Sequence, residues 1–411
     1  MKNILFIFHF IFLFGQISAQ TNIKVLFYNL LQFDGFDNRK YDLKYILDTY
    51  NPDIFGVCEL KSEAASDTIL NVCLNYGSTD TYRAASFHYN TSGSYQDLNQ
   101  LLFYNNDLFE LTYQDILQTS VRDINHYQLK LRTQDPNNEI YLEVFVAHLK
   151  SSDGNTNEQT RLDMATVFVN YLNNIPTDHY ILFMGDFNLY SSSEPAYQKI
   201  LDINNPIIMN DPIDSPGVWH NNSSFSHIHT QATHLYGNSL FVGGGLDDRF
   251  DFIMVSENLM DFQNPHLRYK NQSYRAYGNN GTCFNESIVS TACDNGIYDL
   301  VLRNHLYNMS DHLPVVMEME TDATLSVSYD FVTNAFHISG QHPVKNTLTI
   351  DGPDDSPVFI KLYNFLGQQL KEIPHYNIHT PIDVSNLSSD IYFLEITYNN
   401  YRQLLKFVKS D

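Results

Sequence analysis

Residues 180–188, YILFMGDFN, run a chain of apolar positions into an acid, Asp186, and a carboxamide, Asn188. Strands covered on both faces read as continuous apolar runs, and in α/β folds the polar groups that do chemistry gather beyond strand ends. The same grammar recurs along the chain. KVLFYN (24–29) ends on Asn29, DIFGVCE (53–59) on Glu59 and VFVAH (144–148) on His148. Asp251 interrupts RFDFIMV (249–255), and SDHLPV (310–315) sets Asp311 and His312 ahead of a last run. Any one of these could be a capping turn, a surface acid or a satisfied core histidine. Carboxylates, carboxamides and imidazoles repeated at successive strand ends mark a site.

Between the runs, RKYDLKYILDTY (39–50) and EQTRLDMATVFVNYLNN (158–174) carry apolar residues at helical spacing. The first three hundred residues therefore read as α/β. Long loops, 86–100 and 211–248, are rich in Asn, Ser and Asp, and the reading finds no apolar hairpin suited to entering a membrane. After Glu320 the helical period stops. ATLSVSYDFVTNAFHISG (323–340), VFIKLYNFLGQQL (358–370), IDVSNLSSDIYFLEI (382–396) and LLKFVKSD (404–411) alternate as short strands of a small β-sandwich, with the boundary at 321–330.

A formal charge of −23 argues against tight, salt-sensitive binding of nucleic acid in a basic groove, although not against reaching phosphate through a bound cation. With 14% aromatic residues the chain is expected to pack a core rather than remain disordered. MKNILFIFHFIFLFGQISAQ (1–20) has the charged start, apolar centre and small-residue end of a signal peptide, and no later segment reads as a membrane span. In an oxidising compartment Cys283 and Cys293 bracket a loop that a local disulfide would close. Cys58 and Cys73 are either a second pair or buried thiols.

The residue types suit phosphodiester hydrolysis, which needs an oriented water, neutralised phosphate charge and a stabilised leaving oxygen. Glu59 and Asp311 are the expected ligands of a hard divalent cation. His312 is the expected general base, held in its tautomer by Asp251. Asp186 and Asn188, two apart on a strand end, should point to one side, toward water and a phosphate oxygen, with His148 as a further phosphate donor.

The ordered set Asn29, Glu59, His148, GDFN, RFDFIMV and SDHLPV resembles the endonuclease/exonuclease/phosphatase superfamily over residues 21–320. The resemblance implies a four-layer sandwich of two mixed β-sheets flanked by helices, a Mg²⁺ cofactor with Mn²⁺ or Ca²⁺ as alternatives, and Asn29 beside the metal and substrate. In the deoxyribonuclease I branch it further implies Asp97, in SYQD, as partner of His148, and Arg122, in SVRD, as a phosphate contact. LYNFLGQQL, IDVSNLSSDIYFLEI and KFVKSD resemble the C-terminal sorting domain of type IX secretion substrates of Bacteroidetes, over residues 325–411. The implied protein is a secreted or cell-surface endonuclease acting on DNA or RNA through phosphate contacts, with the type IX machinery as partner and no stable membrane insertion. The alternatives are a sphingomyelinase-like phospholipase C, a small-molecule phosphatase, or an exported binding protein without catalysis.

Overall fold

A computed structural model describes residues 21–76, 81–94, 97–135, 137–326, 336–340, 342–352, 357–398 and 401–410; the signal peptide expected at 1–20 lies outside the described residues. In chain order the first part comprises β1 (Thr21–Phe33), α1 (Arg39–Tyr50), β2 (Ile54–Leu60), α2 (Glu63–Thr68), β3 (Tyr82–Ala84), β4 (Asn99–Asn105), β5 (Phe109–Leu117), β6 (Ile124–Leu131) and β7 (Ile140–His148). It continues with α3 (Asn155–Tyr171), β8 (Tyr180–Asp186), α4 (Pro195–Ile200), β9 (Met209–Asn210), β10 (Asp251–Ser256), β11 (Arg268–Tyr269), β12 (Arg275–Ala276), α5 (Leu300–Met309) and β13 (Val315–Thr321).

Two mixed sheets form. One runs β11-β13-β1-β2-β4-β3, with β12 also on β13; the other runs β5-β6-β7-β8-β10-β9. β1 and β2 are parallel, as are β7 and β8, and their other neighbours are antiparallel. Apolar residues on alternate positions sort cleanly. Val144, Val146, Leu182, Met184, Ile253 and Val255 enter the core shared with Val25 and Phe27 of the facing sheet, whereas Phe145, Ile181, Phe183 and Phe252 pack with Phe168 of α3. Leu43 and Ile46 of α1 and Leu302 and Leu306 of α5 cover the first sheet, completing four layers, helix–sheet–sheet–helix. At Gly56 of β2 the sheets approach so closely that a Cβ would lie 2.4 Å from Met184 Sδ.

The remaining strands are β14 (His337–Ser339), β15 (Thr347–Asp351), β16 (Val358–Asn364), β17 (Gln369–Tyr376), β18 (Ile382–Asp383), β19 (Ile391–Tyr398) and β20 (Tyr401–Val408). They form two antiparallel sheets, β14-β15-β18 and β17-β16-β19-β20, around a separate core that includes Leu348, Ile360, Leu394 and Phe407. Cys283 and Cys293 are joined, their Cα atoms 4.9 Å apart, while Cys58 and Cys73 are buried free thiols.

Candidate active site

The strand grammar of the sequence becomes a row of side chains. On β7, β8 and β10 the inward positions continue past the apolar core to His148, Asp186 and Asp251. His148 is in register with Asp186, and Asp186 with Asp251. Gly185 permits this, because a Cβ there would sit 2.3 Å from Ala147 O on the neighbouring strand.

The facing sheet contributes Asn29 and Glu59. Asn29 Nδ2 donates to Asp186 Oδ2 across the gap (3.0 Å) and to Glu59 Oε1 (3.2 Å), while its Oδ1 accepts the Leu31 N–H (3.0 Å). Strand alternation alone would turn Glu59 to the helix side, since its neighbour Cys58 lies level with inward-facing Asn29. Glu59 instead adopts a left-handed backbone (φ 57°), at an irregularity in the β2–β4 ladder, and its carboxylate returns to the gap.

Ser310 ties the last motif to the first. Its Oγ donates to Asn29 O (2.8 Å) and accepts the His312 N–H (3.1 Å). His312 Nδ1 lies 2.8 Å from Asp251 Oδ2, which fixes the ring with Nε2 facing the gap. There Nε2 is 3.4 Å from Asn29 Nδ2 and 3.8 Å from Asp186 Oδ2. It is also 2.8 Å from Gln231 Nε2, a residue that no motif singled out.

Negative charge dominates the gap. Burial raises the Asp186 carboxyl; His312 opposes this, but Asp251 and Glu59 add to it, leaving the group at about 7. Burial likewise raises Glu59 and Asp311. Burial pulls His312 down, yet the carboxylates of Asp251 and Asp186 outweigh it and hold the ring's proton well above the ordinary imidazole range. His148 moves the other way, its proton disfavoured by burial and by the Arg122 guanidinium.

Several expectations need correction. Asp311 does not converge with Glu59 as a ligand pair. Its Oδ2 accepts from Val242 N (3.1 Å) and Gln231 Nε2 (3.4 Å), and the donors that gather within 4.8 Å of one another are Glu59, His148 and Asp186. Asn188 is not a second inward strand residue. β8 ends at Asp186, and a left-handed backbone (φ 52°) folds the Asn188 amide back onto Asp186 Oδ1 at 2.8 Å. Asp97 is exposed and makes no described contact with His148, whose buried Nδ1 has no partner among the described residues. Arg122 is buried beneath the site, donating to the carbonyls of His148 (3.1 Å) and Leu149 (2.8 Å); it secures the end of β7 instead of meeting solvent as a phosphate contact. The loop read as rich in Asn, Ser and Asp also displays apolar side chains: Tyr236 is 83% exposed, Val242 54% and Leu240 40%, and Val242 reaches Asp311 through its backbone.

The donor set fits a divalent cation. The half-buried Glu59 carboxylate, the buried Asp186 carboxylate and the buried His148 imidazole converge within 4.8 Å, and among the described residues a second Oδ atom on each of Asp251 and Asp311 is buried without a partner.

Residues 342–410 match the family described as a secretion system C-terminal sorting domain, which assigns the chain to type IX export toward the cell surface or the extracellular space. Among the described residues no helix is long and apolar enough to cross a membrane. No curated protein matches the chain. Similar solved structures include TDP2 of D. rerio complexed with a single-strand DNA product (15% identity, 73% of this chain and 100% of that one, TM-score 0.46). They also include the human Nocturnin catalytic domain with bound sulfate (16%, 72% and 93%, 0.45) and an endonuclease/exonuclease/phosphatase from Bacteroides vulgatus (14%, 73% and 99%, 0.46).

Proposed function

We propose that this protein is an exported, divalent-cation-dependent phosphodiesterase whose substrate is nucleic acid, cleaved by in-line attack of water. The observation that carries the reading is the buried His312–Asp251 pair, whose other ring nitrogen faces a gap lined by Glu59, Asp186 and His148. Glu59, Asp186 and His148 would hold a divalent cation, with Mg²⁺ or Mn²⁺ the proposed ions, and such an ion would supply positive charge to offset the carboxylates and the phosphate. The chain's own groups do the rest. His312 Nε2 takes a proton from the attacking water while Asp251 stabilises the imidazolium that forms. Asn29 fixes the spacing between the sheets, and the Asn188 amide holds the Asp186 carboxylate in place. The P–O bond to the leaving oxygen breaks as the new P–O bond forms, and the leaving oxygen takes up a proton from solvent water.

The test incubates the full chain, wild type and His312→Ala, with plasmid DNA, with RNA and with sphingomyelin vesicles, in Mg²⁺, Mn²⁺ or EDTA. Metal-dependent nicking of nucleic acid that falls about 10²- to 10⁴-fold in the variant is the expected result. Nucleic acid left intact in both metals sinks the nuclease reading.

The loop at 235–245 supports a second reading, a phospholipase C. Tyr236, Leu240 and Val242 are exposed apolar side chains on the loop whose Val242 N–H binds Asp311, and such side chains suit a lipid interface. Cleavage of vesicle lipid with nucleic acid untouched is the outcome that favours it.

A further inference from the structure

Gln231 stands where the reacting atoms must go. A base that accepts a proton through His312 Nε2 needs water at that nitrogen, and the Gln231 amide is 2.8 Å from it. Gln231 Nε2 also donates to Asp311 Oδ2 at 3.4 Å, so one carboxamide spans both polar residues of the last motif.

The backbone of this residue has no freedom to leave. Gln231 N donates to Asp248 O (3.1 Å), and Gln231 O accepts from Asp247 N and Asp248 N (both 2.9 Å). Its neighbours are pinned on the other side. Leu313 N donates to Thr230 O (2.7 Å), and Thr233 N donates to Asp311 O (2.9 Å). Thr230 Oγ1 in turn accepts the N–H groups of Phe250 and Asp251 (both 3.2 Å). The segment is laced between the start of β10 and the loop that carries His312. Whatever reaches His312 Nε2 therefore displaces only the side chain, by rotation, and the freed amide hydrogen remains within reach of the newcomer.

We propose that Gln231 is a substrate-contacting residue. Its amide turns away from His312 Nε2 so that one N–H donates to a non-bridging phosphoryl oxygen, while the other N–H stays on Asp311. A carboxamide suits the role because it donates to an anion without adding a charge that would compete for the carboxylates around it. The inference deepens the phosphodiesterase reading and rests on phosphate occupying the gap; the experiment below is chosen so that either can fail alone.

Inorganic phosphate is titrated, in the presence of Mn²⁺, into the full chain as wild type, Gln231→Ala and Gln231→Glu, and binding is read by calorimetry. KM and kcat are measured in parallel on whichever ester the wild type cleaves. A hydrogen bond to a charged group predicts phosphate binding weakened about tenfold or more in Gln231→Ala. The isosteric Gln231→Glu, which replaces a donor with an anion, should weaken it further. In both variants KM should rise more than kcat falls, at an unchanged thermal midpoint. Glutamine labelled with ¹⁵N reads the wild-type side chain directly, so a variant that fails to fold does not end the test: the Gln231 amide resonances should shift on phosphate addition. Phosphate affinity within twofold of wild type in both variants, unmoved amide resonances, or no phosphate binding by the wild type, overturns the proposal. A wild type that binds phosphate through Gln231 yet cleaves no nucleic acid sinks the nuclease reading and leaves this one standing.

Discussion

Replacing Gly56 by Ala tests whether the packing between the sheets sets the geometry of the site. The added Cβ would lie 2.4 Å from Met184 Sδ and 3.4 Å from Val146 Cγ2, and no Cβ tolerates the first distance. Met184 is buried and its sulfur has no solvent to retreat into, so the sheets must separate or the side chain must leave its rotamer. Overpacking of this kind costs about 1–3 kcal/mol. For a unit of about 300 residues, an unfolding entropy of roughly 2.1 cal/mol/K per residue converts that into a midpoint lowered by about 2–5 °C. The functional cost should be disproportionate. Gly56 precedes Glu59 on β2, Met184 precedes Asp186 on β8, and the Asn29–Asp186 bond of 3.0 Å crosses the gap between them. A displacement of a few tenths of an ångström stretches that bond and opens the donor set. Scanning calorimetry, together with a Mn²⁺ titration of the full chain, reads both effects. Weakened cation binding and a lowered midpoint are expected in Gly56→Ala, with partial recovery of binding in Gly56→Ala/Met184→Ala. An unchanged midpoint and unchanged Mn²⁺ affinity in the single variant refute the reasoning.

Other perturbations probe other parts of the molecule. Arg249 is buried and bidentate on Asp211 (2.8 and 2.9 Å), with its guanidinium stacked over Phe252, so Arg249→Met strands a buried carboxylate; denaturant titration should show about 3–5 kcal/mol lost. Glu143 lies within hydrogen-bond distance of His126 and His179 (both 2.6 Å) and accepts from Gln128 (2.8 Å), with Tyr171 and Asp115 adjoining. Burial raises its carboxyl, but these bonds outweigh burial and hold it below the usual 4.5. A lowered folded pKa means stability present above pH 4.5 and lost as the pH falls through the folded value; Glu143→Gln should flatten that acid limb in midpoint-against-pH measurements. Reducing the Cys283–Cys293 bridge, which closes a short loop (sequence separation 10), should cost about 3 kcal/mol by chain entropy, read as a lower urea midpoint in dithiothreitol. Asp251→Asn should leave the midpoint near that of wild type and lower turnover by about 10²-fold or more, because the amide no longer stabilises the imidazolium. Turnover close to wild type would remove His312 as the base.

Apolar runs that end in polar residues were readable because burial on both faces leaves no other composition for a central strand, and the row His148, Asp186, Asp251 follows from strand alternation. Alternation also misled. It placed Asn188 on the strand and could not foresee that a left-handed residue turns Glu59 inward, since the local backbone there is set by the neighbouring ladder and not by residue type. Gln231 was invisible for a related reason: it comes from a loop with no periodicity, and its position is decided by hydrogen bonds to segments close in space but distant in sequence. The stretch 235–245 fell within a loop read by its Asn, Ser and Asp content, which does not describe the apolar side chains it displays.

Because three neighbouring strands deliver their polar groups at one level, the length of each strand is under arithmetic constraint. A single residue inserted into 180–186 would exchange Asp186 for its neighbour and swing the carboxylate to the side packed on α3, and the same holds for β7 and β10. Loops entering the site from outside carry no such parity rule. A library that varies the length of 236–241 while leaving the strands untouched can therefore retune what the gap admits without dismantling what it does, whereas strand indels of one residue should return only inactive clones.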